Sequence, residues 1–169
     1  MKRVVLTGSE SVGKTTLAKQ LGEHFGVPVA AEFVRGYYVE RGGKLGFNDH
    51  GAIARGQMAS EDAAIKRAKD LVVFDTDLVS TVVYCEHYFK MCPEWIREEA
   101  LKRKAELYLL LKPDIPWVAD GVRDRGTRRE EMHTLFRGEL LKMRAKFVEV
   151  DGASDARLAA ALSAIAADR

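Results

Sequence analysis

Short runs of consecutive apolar residues alternate along the chain with longer stretches in which apolar side chains recur every three or four positions. The runs are rich in valine and leucine, and polar or turn-forming residues follow each of them. A buried parallel strand has this pattern because helices cover both of its faces. We predict five strands, at residues 4–6, 27–31, 71–74, 107–111 and 146–150.

The stretches between these strands have the spacing of amphipathic helices. Leu17, Leu21 and Phe25, for example, are four residues apart and share one helical face. Helices are predicted at residues 14–25, 48–69, 78–89, 93–104, 128–144 and 153–167, and a polar loop at 115–127. Strands that alternate with helices imply an α/β fold, a doubly wound five-stranded parallel sheet with helices on both faces. We expect residues 1–169 to form a single domain.

The composition narrows the class of protein. Lys and Arg total 27 against 25 for Asp and Glu, a net charge of +2, which argues against a dedicated nucleic-acid binder. Cys85 and Cys92 match no zinc-ligand spacing, and we expect free thiols in a reducing compartment. No apolar stretch approaches the ~20 residues that a membrane span needs. We therefore expect a cytoplasmic protein with no membrane contact, and the sequence leaves its oligomeric state open.

The segment between the first predicted strand and the first predicted helix matches the phosphate-binding motif G-x-x-x-x-G-K-[ST] at every fixed position. Its glycines let consecutive backbone N–H groups converge on a phosphate chain at the N-terminus of the following helix. Lys14 is expected to reach the β- and γ-phosphates, and the Thr15 hydroxyl to bind Mg²⁺. The motif predicts a P-loop NTPase fold with ATP bound by Gly8, Ser9, Glu10, Ser11, Val12, Gly13, Lys14, Thr15 and Thr16.

Carboxylates follow several predicted strands at their carboxyl ends, where ligands of such sheets bind. Glu32 follows the second strand, Asp75 and Asp77 follow the third, and Asp114 follows the fourth. Asp75 ends an apolar strand, which is the place of the Mg²⁺-organising carboxylate in a P-loop enzyme. The position of Asp77 suits two roles, substrate binding or the N-cap of the helix predicted from residue 78.

Several kinds of P-loop protein carry further signatures that this sequence lacks. An Asn-Lys-x-Asp string would indicate a regulatory GTPase and a Leu-Ser-Gly-Gly-Gln string a transporter-type ATPase, and neither occurs. The length is that of small-molecule and nucleoside kinases, which close an arginine-bearing lid over the transferring phosphate. We predict such a lid at about residues 115–130, with Arg123 and Arg128. A solvated charged loop and a nucleic-acid patch are the alternatives for this segment.

The motifs together resemble the nicotinamide riboside kinase module of the bacterial multifunctional NAD-biosynthesis regulators, a P-loop group sometimes classed with AAA-type ATPases. The resemblance spans nearly the whole chain. Gly36 departs from it, because an acidic residue is expected after Arg35. Full-length members also carry helix-turn-helix and adenylyltransferase domains, whose activities are not carried over to this sequence. The matching stretches are residues 7–16, 31–35, 56–57, 74–77 and 114–123.

The resemblance implies ATP-dependent phosphorylation of the ribose 5′-hydroxyl of nicotinamide riboside, which gives nicotinamide mononucleotide. Glu32, Asp75 and Asp77 are the candidate bases for the hydroxyl proton. Asp75 is expected to be engaged with Mg²⁺, whereas Glu32 lies where related nucleoside kinases place a base. The spacing of Glu32 and Arg35 puts both on one helical face, toward the substrate.

A cationic aromatic substrate predicts an aromatic contact in the protein. Trp117 lies in a polar loop between Asp114 and Asp120, and we expect it to stack on the nicotinamide ring beside these acids. Tyr38 and Tyr84 are weaker candidates for such a contact, and for each we favour a packing role. Two other functions stay open: a kinase of another nucleoside or small alcohol, and a nucleotide-binding regulator that hydrolyses slowly and signals through a partner.

Overall fold

The structure is a computed structural model that describes residues 1–10, 12–113 and 128–168, apart from the side chain of Ser154. Within these ranges five strands form one sheet, in the order β2-β3-β1-β4-β5. Every pairing is parallel. The predicted doubly wound five-stranded α/β fold is therefore confirmed. The strands are β1 (Lys2–Thr7), β2 (Val29–Ala30), β3 (Leu71–Asp75), β4 (Leu107–Leu111) and β5 (Phe147–Val150).

The central strands are buried apolar segments, as the sequence pattern requires. β1 pairs with β3 on one side and with β4 on the other, so that Leu6 lies opposite both Asp75 and Leu109. All side chains of β3 and β4 are buried. Because parallel strands end at the same edge of a sheet, this register brings the loop after β1 next to the carboxylate that ends β3.

Seven helices connect and cover the strands in the described ranges, and six of them lie where the sequence predicts helices. The exception is α2, which the strand-and-helix pattern does not reveal as an element. No residue of α2 is buried, and with eight residues it spans only about two turns, so its helical spacing is a short signal directly after a strand. The helices are α1 (Lys14–Phe25), α2 (Phe33–Glu40), α3 (Asp49–Arg67), α4 (Leu78–Phe89), α5 (Glu94–Lys102), α6 (Arg129–Lys142) and α7 (Ser154–Ala167).

Two apolar clusters, one on each face of the sheet, stabilise this arrangement. Alternate residues of β1 point to opposite faces, so Val4 and Leu6 join one cluster and Val5 joins the other. Helices α1 and α7 cover the first face, whereas α3, α4, α5 and α6 cover the second. Burial of a large side chain such as Phe136, which is fully buried, contributes about 1.5–3 kcal/mol. No helix in the described part of the chain combines the length and apolar character needed to cross a bilayer.

Candidate active site

The loop between β1 and α1 has the conformation that a phosphate cradle needs. Gly8 and Gly13 adopt φ values of 135° and 88°, which side chains strongly disfavour. At Gly8 the backbone also approaches β4, and a Cβ there would lie 3.0 Å from the carbonyl oxygen of Leu111. Two of the motif's fixed positions therefore require glycine for local backbone reasons.

The lysine of the motif lies inside this loop. Lys14 is 6% exposed, and its Nζ donates to the carbonyl oxygens of Gly8 at 3.0 Å and Ser9 at 2.7 Å. The Ser9 hydroxyl is buried without a hydrogen-bond partner among the described residues. A buried ammonium bonded to two neutral carbonyls, beside a buried hydroxyl without a partner, forms a site for an anion, since a buried charge is costly without a counter-charge. Ser11 lies outside the described residues.

Thr15 and Asp75 meet where the first turn of α1 faces the end of β3. The Thr15 hydroxyl donates to Asp75 Oδ2 over 2.7 Å. Asp75 is 3% exposed, and its Oδ1 is buried with no partner in the described ranges. Burial, and then the charge of Glu32, raise the pKa of Asp75. A cation bound beside the Asp75 carboxylate would offset both its burial and its repulsion by Glu32.

These two oxygen-bearing residues fit Mg²⁺. Mg²⁺ prefers hard oxygen ligands and is commonly held by one or two carboxylates together with water and substrate phosphates. The described residues contain no group of three metal-ligating side chains, so a protein-only cage is not formed from them. Asp75 Oδ1 and the Thr15 hydroxyl would hold the ion, and the remaining ligands would come from nucleotide and water.

Asp77 has the capping role that the sequence left as an alternative. It is the N-cap of α4, where its Oδ1 accepts from the Val79 N–H at 3.0 Å. Its Oδ2 accepts from the Tyr108 hydroxyl at 2.7 Å. Burial raises the pKa of Asp77 to about 6. Asp77 borders the cavity described next, but both of its oxygens are engaged internally, so the geometry favours capping over substrate binding.

A cavity of about 570 Å³ opens between the phosphate loop and helices α2, α3 and α4. This volume is typical of a small-molecule site. The structure brings Glu32 and Arg35 to it together with Lys14, as predicted from the sequence. Thr15 and Asp75 line a neighbouring hollow of about 370 Å³ instead. The main cavity is lined by Glu10, Lys14, Glu32, Val34, Arg35, Tyr38, Gly43, Lys44, Leu45, His50, Ile53, Gln57, Thr76, Asp77, Ser80, Thr81, Tyr84, Tyr88 and Phe89.

Aromatic residues line this cavity, and the sequence offers Tyr38 and Tyr84 only as weaker candidates, whereas Tyr88 was missed. The Tyr84 hydroxyl donates to Glu10 Oε2 over 2.5 Å, and its ring stacks on that of Tyr88 with centroids 6.1 Å apart. Tyr38 also lines the cavity, so it and Tyr84 are more than the packing residues expected. The available signal was Ser80, Tyr84 and Tyr88, which repeat at helical spacing on an otherwise apolar helix.

The predicted lid is only partly described. Asp114, Trp117, Asp120 and Arg123 lie outside the described residues. Arg128 is described: it precedes α6, its side chain is 50% exposed, and its Nε lies 3.8 Å from Glu131 Oε2. The described geometry does not bring Arg128 to the cavity.

A buried arginine of the last helix supports the phosphate loop, and sequence reasoning also missed it. Arg157 is 4% exposed. Its guanidinium donates to the carbonyl oxygens of Val12, Lys112 and Gly152. These carbonyls belong to the segments that follow β1, β4 and β5, so one side chain fixes three loop backbones at the ligand-binding edge of the sheet.

The chain matches known P-loop proteins over most of its length. A family model described as "AAA domain" matches residues 3–157. The "Trifunctional NAD biosynthesis/regulator protein NadR" of Escherichia coli (strain K12) is 32% identical in an alignment over 157 residues that covers 89% of this chain and 38% of that protein. The chain thus spans well under half of the length of this curated relative.

Solved structures agree with the fold. The crystal structure of "NadR protein in complex with NR" has a TM-score of 0.87 and 25% identity, over 97% of this chain and 50% of that chain. Thymidylate kinase from Ehrlichia chaffeensis has a TM-score of 0.67 and 13% identity, over 99% of this chain and 98% of that one. The predicted P-loop fold is confirmed, and the likeness to the kinase module of the NAD-biosynthesis regulators is shown by both kinds of relative.

Proposed function

The chain belongs to the AAA-domain family of P-loop proteins, and on that premise we propose that it is an ATP-dependent nucleoside kinase. The observation that carries the proposal is one shared cavity: Glu32 lines the same space as Lys14 of the phosphate cradle. A kinase needs a phosphate site and a proton-accepting group that face one acceptor, because phosphoryl transfer depends mainly on alignment and charge neutralisation.

Each group in the site has a task in this reaction. The phosphate loop and Lys14 bind the β- and γ-phosphates of ATP, and Thr15 and Asp75 hold Mg²⁺, which neutralises developing charge when bound. Asp75 is assigned to Mg²⁺ in this proposal, so Glu32 is the carboxylate that would accept the proton of the acceptor hydroxyl. Residues 115–130 are proposed to close over the phosphates, with Arg123 as the lid cation.

We propose nicotinamide riboside as the acceptor, with transfer to its ribose 5′-hydroxyl. The 25%-identical NadR structure with bound NR supports this choice. So does the cavity, since the aromatic rings of Tyr38, Tyr84 and Tyr88 stand beside the acids Glu10 and Glu32. Aromatic faces and carboxylates together favour a cationic aromatic ring. Trp117 is proposed to contribute a further ring to the same ligand.

The cavity also offers a reason to test other nucleosides. Arg35 and Lys44 line it together with the acids, so a neutral base with carbonyl acceptors could be bound at the same place. A kinase of another nucleoside is therefore the second candidate.

The deciding experiment is ATP turnover with a panel of acceptors: nicotinamide riboside, its neutral dihydro form, and the common ribo- and deoxyribonucleosides. We expect product formation with nicotinamide riboside in preference to the dihydro form, and loss of all transfer in Lys14→Ala. Transfer to another nucleoside, without transfer to nicotinamide riboside, would make that nucleoside the acceptor. ATP hydrolysis with no transfer to any acceptor would reject the kinase proposal.

A further inference from the structure

Helix α3 holds the backbone on both sides of Glu32. The Ser60 hydroxyl donates to the carbonyl oxygen of Ala31 at 3.0 Å. The Gln57 side-chain oxygen accepts from the N–H of Phe33 at 3.1 Å. Glu32 is the N-cap residue of α2, yet its own side chain makes no capping hydrogen bond. Its neighbours are therefore anchored, while its carboxylate is available to the cavity.

The residue before Gln57 adds a steric element to this anchor. A Cβ placed on Gly56 would lie 2.3 Å from the ring of Phe33, closer than real Cβ contacts come. Phe33 therefore packs directly on the backbone of α3, and a side chain at position 56 would push the ring and the start of α2 away. Gly56 and Gln57 thus fix the same residue, one by shape and the other by a hydrogen bond.

The other end of the Gln57 amide reaches the segment that carries Asp75. Its nitrogen donates to the carbonyl oxygen of Thr76 at 3.1 Å and to Glu61 at 3.3 Å. Thr76 stands between Asp75 and Asp77 with φ of 72°, a left-handed conformation that costs a β-branched residue energy and must be held by its surroundings. Because the Thr76 carbonyl can only accept, it fixes which end of the amide faces Phe33.

We infer that Gln57 is a positioning residue: its single amide ties the turn that carries Glu32 to the turn that carries Asp75, and so sets the separation of the two carboxylates. The inference rests on the proposed function for its catalytic meaning. Gln57 is 2% exposed, so its bonds do not compete with water. A misplacement of about 1 Å between reacting groups can lower a rate about 100-fold. By fixing the spacing of the two carboxylates, Gln57 would therefore increase the rate of phosphoryl transfer.

The first test measures the anchor without any substrate. Hydrogen exchange of the segment 31–40 is compared in wild type, Gln57→Leu and Gly56→Ala. We expect faster exchange in this segment in both variants, and unchanged exchange in β1 and β4. Lys66→Ala is the matched control, since it alters an exposed side chain of the same helix and should leave the exchange of 31–40 unchanged. If exchange of 31–40 stays at the wild-type rate in a folded Gln57→Leu protein, the inference is wrong.

The second test asks whether Gln57 acts through Glu32. We expect Gln57→Leu to lower kcat about 10- to 100-fold, with KM for ATP changed less than about 2-fold. In a Glu32→Gln background the same substitution should have little further effect, because the group that it positions is gone. Equal losses in both backgrounds would overturn the positioning role. If wild type phosphorylates no nucleoside, the proposed function fails, and the exchange data alone decide whether Gln57 anchors α2.

Discussion

The Thr15 hydroxyl donates to Asp75 Oδ2 over 2.7 Å, although the two residues are 60 positions apart in the sequence. The bond joins the first turn of α1 to the end of β3, and it leaves Asp75 Oδ1 buried and unpartnered within the described ranges. A carboxylate held in one orientation with a free oxygen is prepared to bind a cation without rearrangement. The proposed Mg²⁺ site rests on this pair of described residues.

Asp75→Asn should lower phosphoryl transfer at least about 100-fold, because an amide cannot neutralise the ion and only one of its polar atoms can accept. Raised Mg²⁺ should restore part of the rate at most. Initial rates across a Mg²⁺ series check this, with Thr15→Ser as the control, since it keeps the hydroxyl and should stay within about 3-fold of wild type. Wild-type turnover of the Asn variant at limiting Mg²⁺ would contradict the site.

Lys14→Ala should abolish transfer and leave the fold intact. The hydrogen bonds of the ammonium go to two carbonyls of its own loop, so its loss removes a phosphate partner rather than a core contact. Circular dichroism and thermal melting check the fold, and ATP turnover checks the activity. Lys19→Ala, on the exposed side of the same helix, should keep both. Full activity in a folded Lys14→Ala protein would reject the cradle.

Glu32→Gln should lower kcat about 10²- to 10⁴-fold, the range that general-base catalysis contributes, while KM for ATP changes little. The variant keeps the size of the side chain and loses only its ability to take up the proton. Steady-state kinetics with the acceptor identified above provide the measurement. Glu40→Gln, at the exposed end of the same helix, is the matched control. A kcat within 3-fold of wild type would show that another group accepts the proton of the acceptor hydroxyl.

Tyr84 allows its ring and its hydroxyl to be tested separately. Tyr84→Phe loses only the bond to Glu10, which should cost about 0.5–1.5 kcal/mol in unfolding free energy and leave the acceptor KM within about 3-fold. Tyr84→Ala also removes the stacked face and should raise the acceptor KM by about 2- to 30-fold, since a ring–cation contact contributes about 0.5–2 kcal/mol. Equal KM values in the two variants would show that the ring does not touch the acceptor.

Stability should fall as pH rises through the acid range because of Glu61. Burial raises the pKa of Glu61 from about 4.5 to about 7. Between these values the folded state keeps a proton that the unfolded state has released, so unfolding becomes easier as pH increases. The loss is at most about 3.5 kcal/mol, since each unit of pKa difference corresponds to about 1.4 kcal/mol. The pKa of Asp77, raised to about 6, acts in the same direction.

Glu61→Gln removes this titration. In denaturant unfolding at pH 4.5, 6 and 8, the unfolding free energy of the variant should increase relative to that of wild type as pH rises. The lowest pH serves as the internal control, because both proteins then carry a neutral group at position 61. A constant difference in unfolding free energy across this range would mean that Glu61 titrates at its ordinary value.

Local patterns made much of the molecule predictable. Each central strand is a continuous apolar run buried on both faces, and the phosphate motif is contiguous, so Gly8 and Lys14 could be placed by reading a single stretch. Helix α2 was missed because it spans only eight residues directly after β2. Asp77 stayed ambiguous because a cap and a substrate ligand both call for a carboxylate just after a strand.

The rest of the candidate site depends on contacts between distant parts of the chain. Tyr84 reaches Glu10 across 74 positions, and Gln57 joins two segments on either side of it. Nothing in the neighbouring sequence of either residue marks these partners. An amide or a phenol in a helix reads as an ordinary polar or packing residue until the tertiary structure shows what its polar atoms touch.

Arg157 has a consequence for how the protein is made. Its guanidinium bonds the Val12 carbonyl, 145 positions earlier, as well as the carbonyls of Lys112 and Gly152. The phosphate loop therefore leaves the ribosome 145 residues before Arg157, and it gains this support only after α7 has emerged. A nascent chain that lacks α7 should bind nucleotide poorly even when its first strand and helix have formed. The nucleotide would then act as a late ligand in biosynthesis, stabilising chains in which α7 has emerged over chains in which it has not.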